Sequence, residues 1–408
     1  MGKLNIFEIT FSNPQGVFYG GQLIQGHVTV ELNAEIKMRG IRLQFEGGAR
    51  VHWSEQHSTG SGKNRRTVTR HYSSSETYFN HILVLFGKGP GQRGDDPVLQ
   101  AGRYVYPFNF QLPTGIPSSY ESFTGRVRYS VAGVIDRPWK FDHTTRRAFT
   151  IVDPLDLNLE PQAMQGATGN GQKTLCCLCC ESGPISAVLK LDRLGYVPGE
   201  AISISGEISN GSRRKMTCSF ADIRMTIQYH ATTKTKTICN TVSKISHGPI
   251  LPGDGDIWNG DQLHIPPLPP SRLRGCRIID ITYTVTLNVD PSGLGFDLVV
   301  PINILIGSIP LQSVARQYGP PPPLPLPPTD YTNTGPNNIQ LQPTMPSAPS
   351  NADMPPPSYA ECVFGKVNIR EENDNEHIRG NMDYAPVYTY YNWNQHNANT
   401  FVPETQQN

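Results

Sequence analysis

Four residues near the C-terminal end carry the most specific chemistry in the chain: Pro356, Pro357, Ser358 and Tyr359. Consecutive prolines prefer polyproline II, so such a peptide is ordered before it binds. WW domains offer an aromatic groove for the prolines and a separate pocket for the tyrosine. A second, incomplete copy, Ala385-Pro386-Val387-Tyr388, lacks the first proline, so Pro386 and Tyr388 would make a weaker site. The separation of 29 residues from Tyr359 to Tyr388 spans on the order of 30 Å as a random coil. That reach suits two adjacent WW modules, and linked sites gain from effective concentration.

A second chemical cluster is Cys176-Cys177-Leu178-Cys179-Cys180. S-acylation of Cys176, Cys177, Cys179 and Cys180 is plausible beside Leu175 and Leu178. Metal or redox pairing is an alternative, although adjacent cysteines rarely supply tetrahedral geometry on their own. A packing role, or none, is the third. Pro320–Pro328, almost all proline, reads as a stiff spacer or as a ligand for an SH3- or profilin-like groove. No catalytic set is found: there is no H-E-x-x-H, no nucleophile elbow and no P-loop. No cofactor and no metal are expected. Arg126, Arg128 and Arg137 alternate with apolar residues and are read as lining one solvent face. Trp53 and Trp139 are expected in the core, and Cys218, Cys239 and Cys276 as buried thiols.

The charges balance, with 35 Lys+Arg against 34 Asp+Glu. A nucleic-acid binder would show a basic excess. The longest aliphatic or aromatic run is Ile82–Phe86, far short of the ~20 residues a membrane helix needs. The N-terminus has no apolar stretch of a secretory leader, so a cytosolic protein with reduced thiols is expected.

These motifs need elements to hold them, and composition divides the chain. Residues 309–408 hold 17 of the 36 prolines and carry 4 basic and 9 acidic residues. Such a stretch is expected to be disordered, because it buries too little apolar surface to offset ordering entropy. Residues 1–308 read as short strands of period two, as in 27–32, 41–45, 104–110, 127–131 and 281–287. Many short strands with turn signals predict an all-β sandwich or barrel.

The body also repeats itself. Gly16–Gly26 resembles Gly195–Gly206. Phe108-x-Phe110-x-Leu112-Pro113 leads to Tyr129-x-Val131, as Leu263-x-Ile265-Pro266 leads to Tyr283-x-Val285. The offset is 178 for Gly21 and Gly199 but 154 for Tyr129 and Tyr283, so the first copy carries about 24 extra residues. They are assigned to 57–71 and 87–97, read as long loops. Two tandem β-sandwiches follow, 1–153 and 184–311, with a linker at 154–183 and a disordered tail at 312–408.

The chain resembles the α-arrestins, the arrestin domain-containing proteins. The first sandwich carries the resemblance in Gly47-x-Ala49-x-Val51-x-Trp53, in 99–113, in Pro117-Ser118-Ser119-Tyr120-Glu121 and in Arg126–Tyr129. The second carries it in Gly183-Pro184-Ile185, Gly195-Tyr196-x-Pro198-Gly199-Glu200, 265–271 and 301–311. Pro356-Pro357-Ser358-Tyr359 adds the feature that separates α-arrestins from visual and β-arrestins. Two full copies of that motif are usual in the group, and this tail has one.

The resemblance implies tandem immunoglobulin-like sandwiches and a non-enzymatic adaptor between membrane cargo, such as G-protein-coupled receptors, and WW-domain HECT-type ubiquitin ligases. It implies endocytosis and lysosomal sorting of that cargo, with the adaptor in the cytoplasm, at the inner face of the plasma membrane and on endosomes. It gives the Arg126, Arg128 and Arg137 face a role toward acidic or phosphorylated tails. Two rival functions stand beside it: a redox regulator that binds a thiol protein, and a retromer-type sorting scaffold.

Overall fold

The computed structural model describes residues 3–59, 65–177, 180–293, 297–318, 358–362, 365–370 and 378–393. The alternation read in the sequence becomes inward and outward side chains. Along the strand Gly125–Asp136, buried and half-buried residues alternate nearly end to end, as a strand with one face on a core must.

The first sandwich packs a three-stranded antiparallel sheet (Leu4–Phe11, Leu23–Leu32, Gly102–Gln111) on a larger sheet. In the larger sheet the order is Val17–Tyr19, His143–Val152, Gly125–Asp136, Gly40–Thr59 and Arg66–Gly87. Phe11, Phe18, Phe108 and Phe149 meet edge-to-face in its core, the geometry aromatic quadrupoles favour. The second sandwich packs a four-stranded sheet (Ala167–Cys177, Cys180–Leu191, Ala201–Asn210, Gly255–His264) on a five-stranded one. The five-stranded order is Gly195–Tyr196, Leu298–Ile306, Ile279–Pro291, Met216–His230 and Thr235–Ser246.

The repeat is physical. The Tyr129 hydroxyl donates to the Pro117 carbonyl at 2.7 Å, and that of Tyr283 to Pro269 at 2.8 Å. Ser119 Oγ accepts from Ile151 N–H at 2.9 Å, as Ser271 Oγ does from Ile306 N–H. In each copy a buried serine therefore ties the incoming loop to the edge of the core. This explains the Pro-x-Ser of both motifs, since a buried polar group must find a partner.

Three expectations are corrected. Of residues 57–71, 57–59 and 66–71 are strand rather than loop. They lie where Gly40–Thr59 and Arg66–Gly87 extend into a long hairpin, with Thr59 opposite Arg66. Its strands have 20 and 22 residues, against 15 and 12 in the matching hairpin of the second sandwich. Only 88–97 is irregular, with Lys88 Nζ on Asp96 at 2.6 Å.

The linker is shorter than 154–183, because Ala167–Cys177 is already a strand of the second sandwich. Its Gly169 and Gly171 pack against Val300 and Leu298, where a Cβ would crowd Val300 at 2.9 and 3.0 Å. These two glycines of the expected linker are thus close-packing positions.

The disorder expected over 312–408 is not what the described part of that stretch shows. Ser358–Glu361 pairs with Val387–Tyr390, Val367–Asn368 with Asp383–Tyr384, and Ile378–Gly380 runs parallel to His143–Val152. A local set of aromatics lies behind this, which composition averaged over a hundred residues conceals.

Candidate functional site

That aromatic set is where the tail meets the body. Tyr384, Tyr388, Tyr391 and Trp393 are buried. The Tyr384 hydroxyl donates to the Phe149 carbonyl at 3.2 Å, and that of Tyr388 to the Ser119 carbonyl at 3.0 Å. The Tyr391 hydroxyl donates to the Ser308 carbonyl at 2.8 Å, and its backbone N–H to Pro198 O at 3.0 Å. Ser119 belongs to the first sandwich and Ser308 follows the last strand of the second, so one short segment binds both. Burial pushes the hydroxyl of Tyr384 up to about 12 and that of Tyr388 well above its ordinary value. Both therefore stay protonated and able to donate.

Gly199 shows why the sequence folds this way locally. Its φ is +97°, and a Cβ there would lie 1.9 Å from the Tyr391 carbonyl oxygen. Only glycine satisfies both the left-handed backbone and the close approach. The two sandwiches also meet directly: the Tyr120 and Tyr229 hydroxyls share a hydrogen bond at 2.8 Å, and Ser122 Oγ lies 2.8 Å from the same Tyr229 hydroxyl. Lys234–Glu55 and Arg277–Glu76 add ion pairs across the seam.

The predicted WW-binding residues divide. Pro356 and Pro357 lie outside the described residues. Ser358 and Tyr359 begin a strand, with Tyr359 opposite Thr389 in the register. The second predicted site is corrected: Pro386 is buried, and Tyr388, 2% exposed, faces the body. A ring seated there is not on offer to a partner while the tail is docked.

The arginine face is corrected too. Arg128 donates to both carboxylate oxygens of Glu121 at 2.6 and 2.8 Å. Burial raises the Glu121 carboxyl, against the pull of Arg128. Arg137 turns back onto its own loop, where Nε donates to the Phe141 carbonyl at 2.8 Å. Arg126 is half-buried on the sheet, opposite Arg50 and Glu121.

Of the cysteine cluster, Cys176 and Cys177 end one strand and Cys180 begins the next, with Cys177 opposite Cys180. Cys179 lies outside the described residues. Elsewhere, burial pushes the Cys218 and Cys276 thiols up, while Cys239 is exposed rather than buried. Trp53 is in the core as expected. Trp139 is not: it is 98% exposed. Among the described residues no cluster of His, Cys, Asp and Glu could hold a metal ion.

What sequence reasoning missed is a cleft of about 630 Å³ between Leu4–Phe11, His143–Val152 and the tail, lined by Arg146, Arg147 and Arg379 among others. Arg147 donates to Ile9 O at 2.9 Å and Arg379 to Asn5 O at 3.3 Å. They cover the outer edge of the first strand, which otherwise presents unpaired carbonyls. The adjacent Arg146-Arg147 was the available signal.

Comparison with known proteins places this geometry. Arrestin (or S-antigen), N-terminal domain matches residues 7–158, and Arrestin (or S-antigen), C-terminal domain matches residues 181–311. The chain is 30% identical to Arrestin domain-containing protein 17 of Caenorhabditis elegans, over 96% of this chain and 100% of that one. It is 32% identical to Arrestin domain-containing protein 4 of Mus musculus, over 78% and 75%. It is 27% identical to human Thioredoxin-interacting protein, over 75% of each.

Proposed function

Because the chain belongs to the arrestin family, among the arrestin domain-containing proteins, we propose that it links membrane cargo to a WW-domain HECT-type ubiquitin ligase. Arrestin-family proteins are non-enzymatic adaptors. In this scheme the ligase performs ubiquitin transfer and the adaptor supplies proximity, which turns a rare encounter into an effectively intramolecular one. Ubiquitinated cargo, with G-protein-coupled receptors as the first class to test, then enters endocytosis and lysosomal sorting. The adaptor works from the cytoplasmic face of the plasma membrane and of endosomes.

One observation carries the proposal: the strand that begins with Ser358 and Tyr359 is paired to the segment whose Tyr388 and Tyr391 grip both sandwiches. A ligase held by Pro356, Pro357 and Tyr359 would therefore sit against the cargo-binding body. Paired strand and polyproline II are different backbones, so ligase binding requires the 358–361 strand to leave its partner. The cleft beside the first strand, lined by Arg146, Arg147 and Arg379 and also by Glu8 and Asp383, is the place to test for a docking cargo segment, with the tail as one wall. Cys176, Cys177 and Cys180, at the facing ends of two paired strands of the second sandwich, and Cys179 remain the acylation sites to test. Arg126 remains the residue of its face to test against an acidic partner.

The relative whose name records interaction with thioredoxin raises the redox alternative. Partial burial of Cys218 and Cys276, which pushes both thiols up, works against it at those two positions, because thiolate is the reactive form.

Calorimetry of the full chain with a tandem WW-domain protein tests the proposal. Tyr359→Ala should weaken binding by roughly 2 kcal/mol or more, as loss of an anchoring aromatic does. Unchanged affinity overturns the ligase link.

A further inference from the structure

The turn 137–142 joins Gly125–Asp136 to His143–Val152 and carries two aromatic rings into solvent. Trp139 is 98% exposed and Phe141 70%. Most large apolar side chains of this protein are buried or half-buried, and two exposed aromatics two residues apart at a tip need a reason.

The turn is built rather than slack. Arg137 N–H donates to Asp142 Oδ1 at 3.0 Å, and the Arg137 guanidinium donates to the Phe141 carbonyl. Trp139 sits at φ +60°, a conformation uncommon for a bulky residue and held only where its surroundings impose it.

The same end of the sandwich is cationic. Lys140 is exposed within the turn. Arg39 N–H donates to Asp136 O at the foot of the turn, so the exposed Lys37 and Arg39 lie beside it. Of the carboxylates nearby, Asp136 is paired by Arg39 and Arg42 and Asp96 by Lys88, while Asp142 of the turn itself accepts from Arg137 N–H.

We propose that the turn 137–142 is a membrane-contact loop, with Trp139 and Phe141 entering the headgroup boundary of an anionic bilayer and Lys140 and Lys37 meeting its phosphates. Trp is favoured at that boundary, where its ring is apolar and its N–H stays wet. Cations beside an apolar tip match the negative charge of a cytoplasmic leaflet. A convex turn with outward rings suits a fluid interface, which yields around it. The proposal rests on the peripheral-membrane part of the function proposed above and is independent of ligase recruitment.

The test uses the full chain purified without acylation, mixed with phosphatidylcholine vesicles with and without about a third phosphatidylserine. The wild type should sediment with the anionic vesicles and much less with neutral ones. The Trp139→Ser/Phe141→Ser double variant should bind about tenfold more weakly or worse. Brominated lipid should quench the emission of Trp139, because Trp53, Trp258 and Trp393 are buried, and Trp139→Phe should abolish that quenching. Both substituted side chains are exposed, so unchanged circular dichroism is expected. Equal vesicle binding by the wild type and the double variant overturns this loop as the contact while leaving peripheral membrane binding intact. A wild type that binds neither vesicle overturns the loop and the unaided membrane contact together, whatever the WW calorimetry shows.

Discussion

The Tyr388 hydroxyl donates to the Ser119 carbonyl at 3.0 Å. The same serine, through its Oγ, accepts from Ile151 N–H at 2.9 Å. One residue of the first sandwich thus uses its side chain to close its own core and its carbonyl to receive the tail. Tyr391 makes the matching contact with the second sandwich at Ser308. Removing either ring should release the tail and leave both sandwiches folded.

Tyr388→Ala should therefore weaken docking by about 3–5 kcal/mol, the range for truncating a large buried aromatic. Hydrogen exchange followed residue by residue checks it. Amides of 378–393 should lose protection while those of Tyr129 and Tyr283 keep theirs. Uniform loss across the chain would mean that the ring serves the whole core rather than the tail.

Docking should also tax the motif it contains. A peptide covering 350–365 should bind a WW domain more tightly than the full chain does, by the factor by which docked tail outweighs released tail. Tyr388→Ala in the full chain should bring the two affinities together. Isothermal titration of the three species measures this, and equal affinities for peptide and wild type would show that strand pairing does not compete.

A buried ion pair makes a separate prediction. Arg193 donates to Glu200 at 2.6 Å, with both side chains largely out of water. Burial raises the Glu200 carboxyl, against the pull of Arg193. Arg193→Ala leaves that carboxylate uncompensated and should cost about 3–5 kcal/mol in urea unfolding. Glu200→Gln should cost less, because Arg193 keeps Asp192 at 3.6 Å, the Gly195 carbonyl and the Tyr196 ring as partners.

His247 stacks on Trp258 at 3.8 Å and lies between Asp256 and Asp261, at 3.0 and 3.4 Å. Burial works against its charged form, but the hydrogen bonds and charges of the two carboxylates together hold its pKa above the ordinary value. A folded pKa above the unfolded one means that the stabilisation is fully present below about pH 6.5. It is lost as pH rises through the folded value. Melting temperature should fall across that window in the wild type, and His247→Gln should flatten the fall. An NMR titration of the His247 ring placing its pKa at or below about 6.5 would remove the basis for this.

The sequence by itself determined the local and the repeated. Period-two alternation specifies strands, because a strand with one face on a core must alternate its side chains. The spacing around Tyr129 and Tyr283 specifies two copies of one sandwich, because each copy closes its core with the same tyrosine-to-carbonyl bond. Tertiary structure decided what depends on a partner distant in the chain. Arg128 alternates like a solvent residue, yet Glu121 on the neighbouring strand claims it. Gly169 and Gly171 read as linker until Val300 and Leu298 pack on them. Trp139 reads as core, but the turn held by Arg137 and Asp142 points its ring outward. Tyr384, Tyr388 and Tyr391 lie in a proline- and asparagine-rich stretch whose composition cannot offset its ordering entropy alone. The apolar surface that receives them belongs to the two sandwiches, more than 80 residues earlier in the chain, and no local pattern records that it is there.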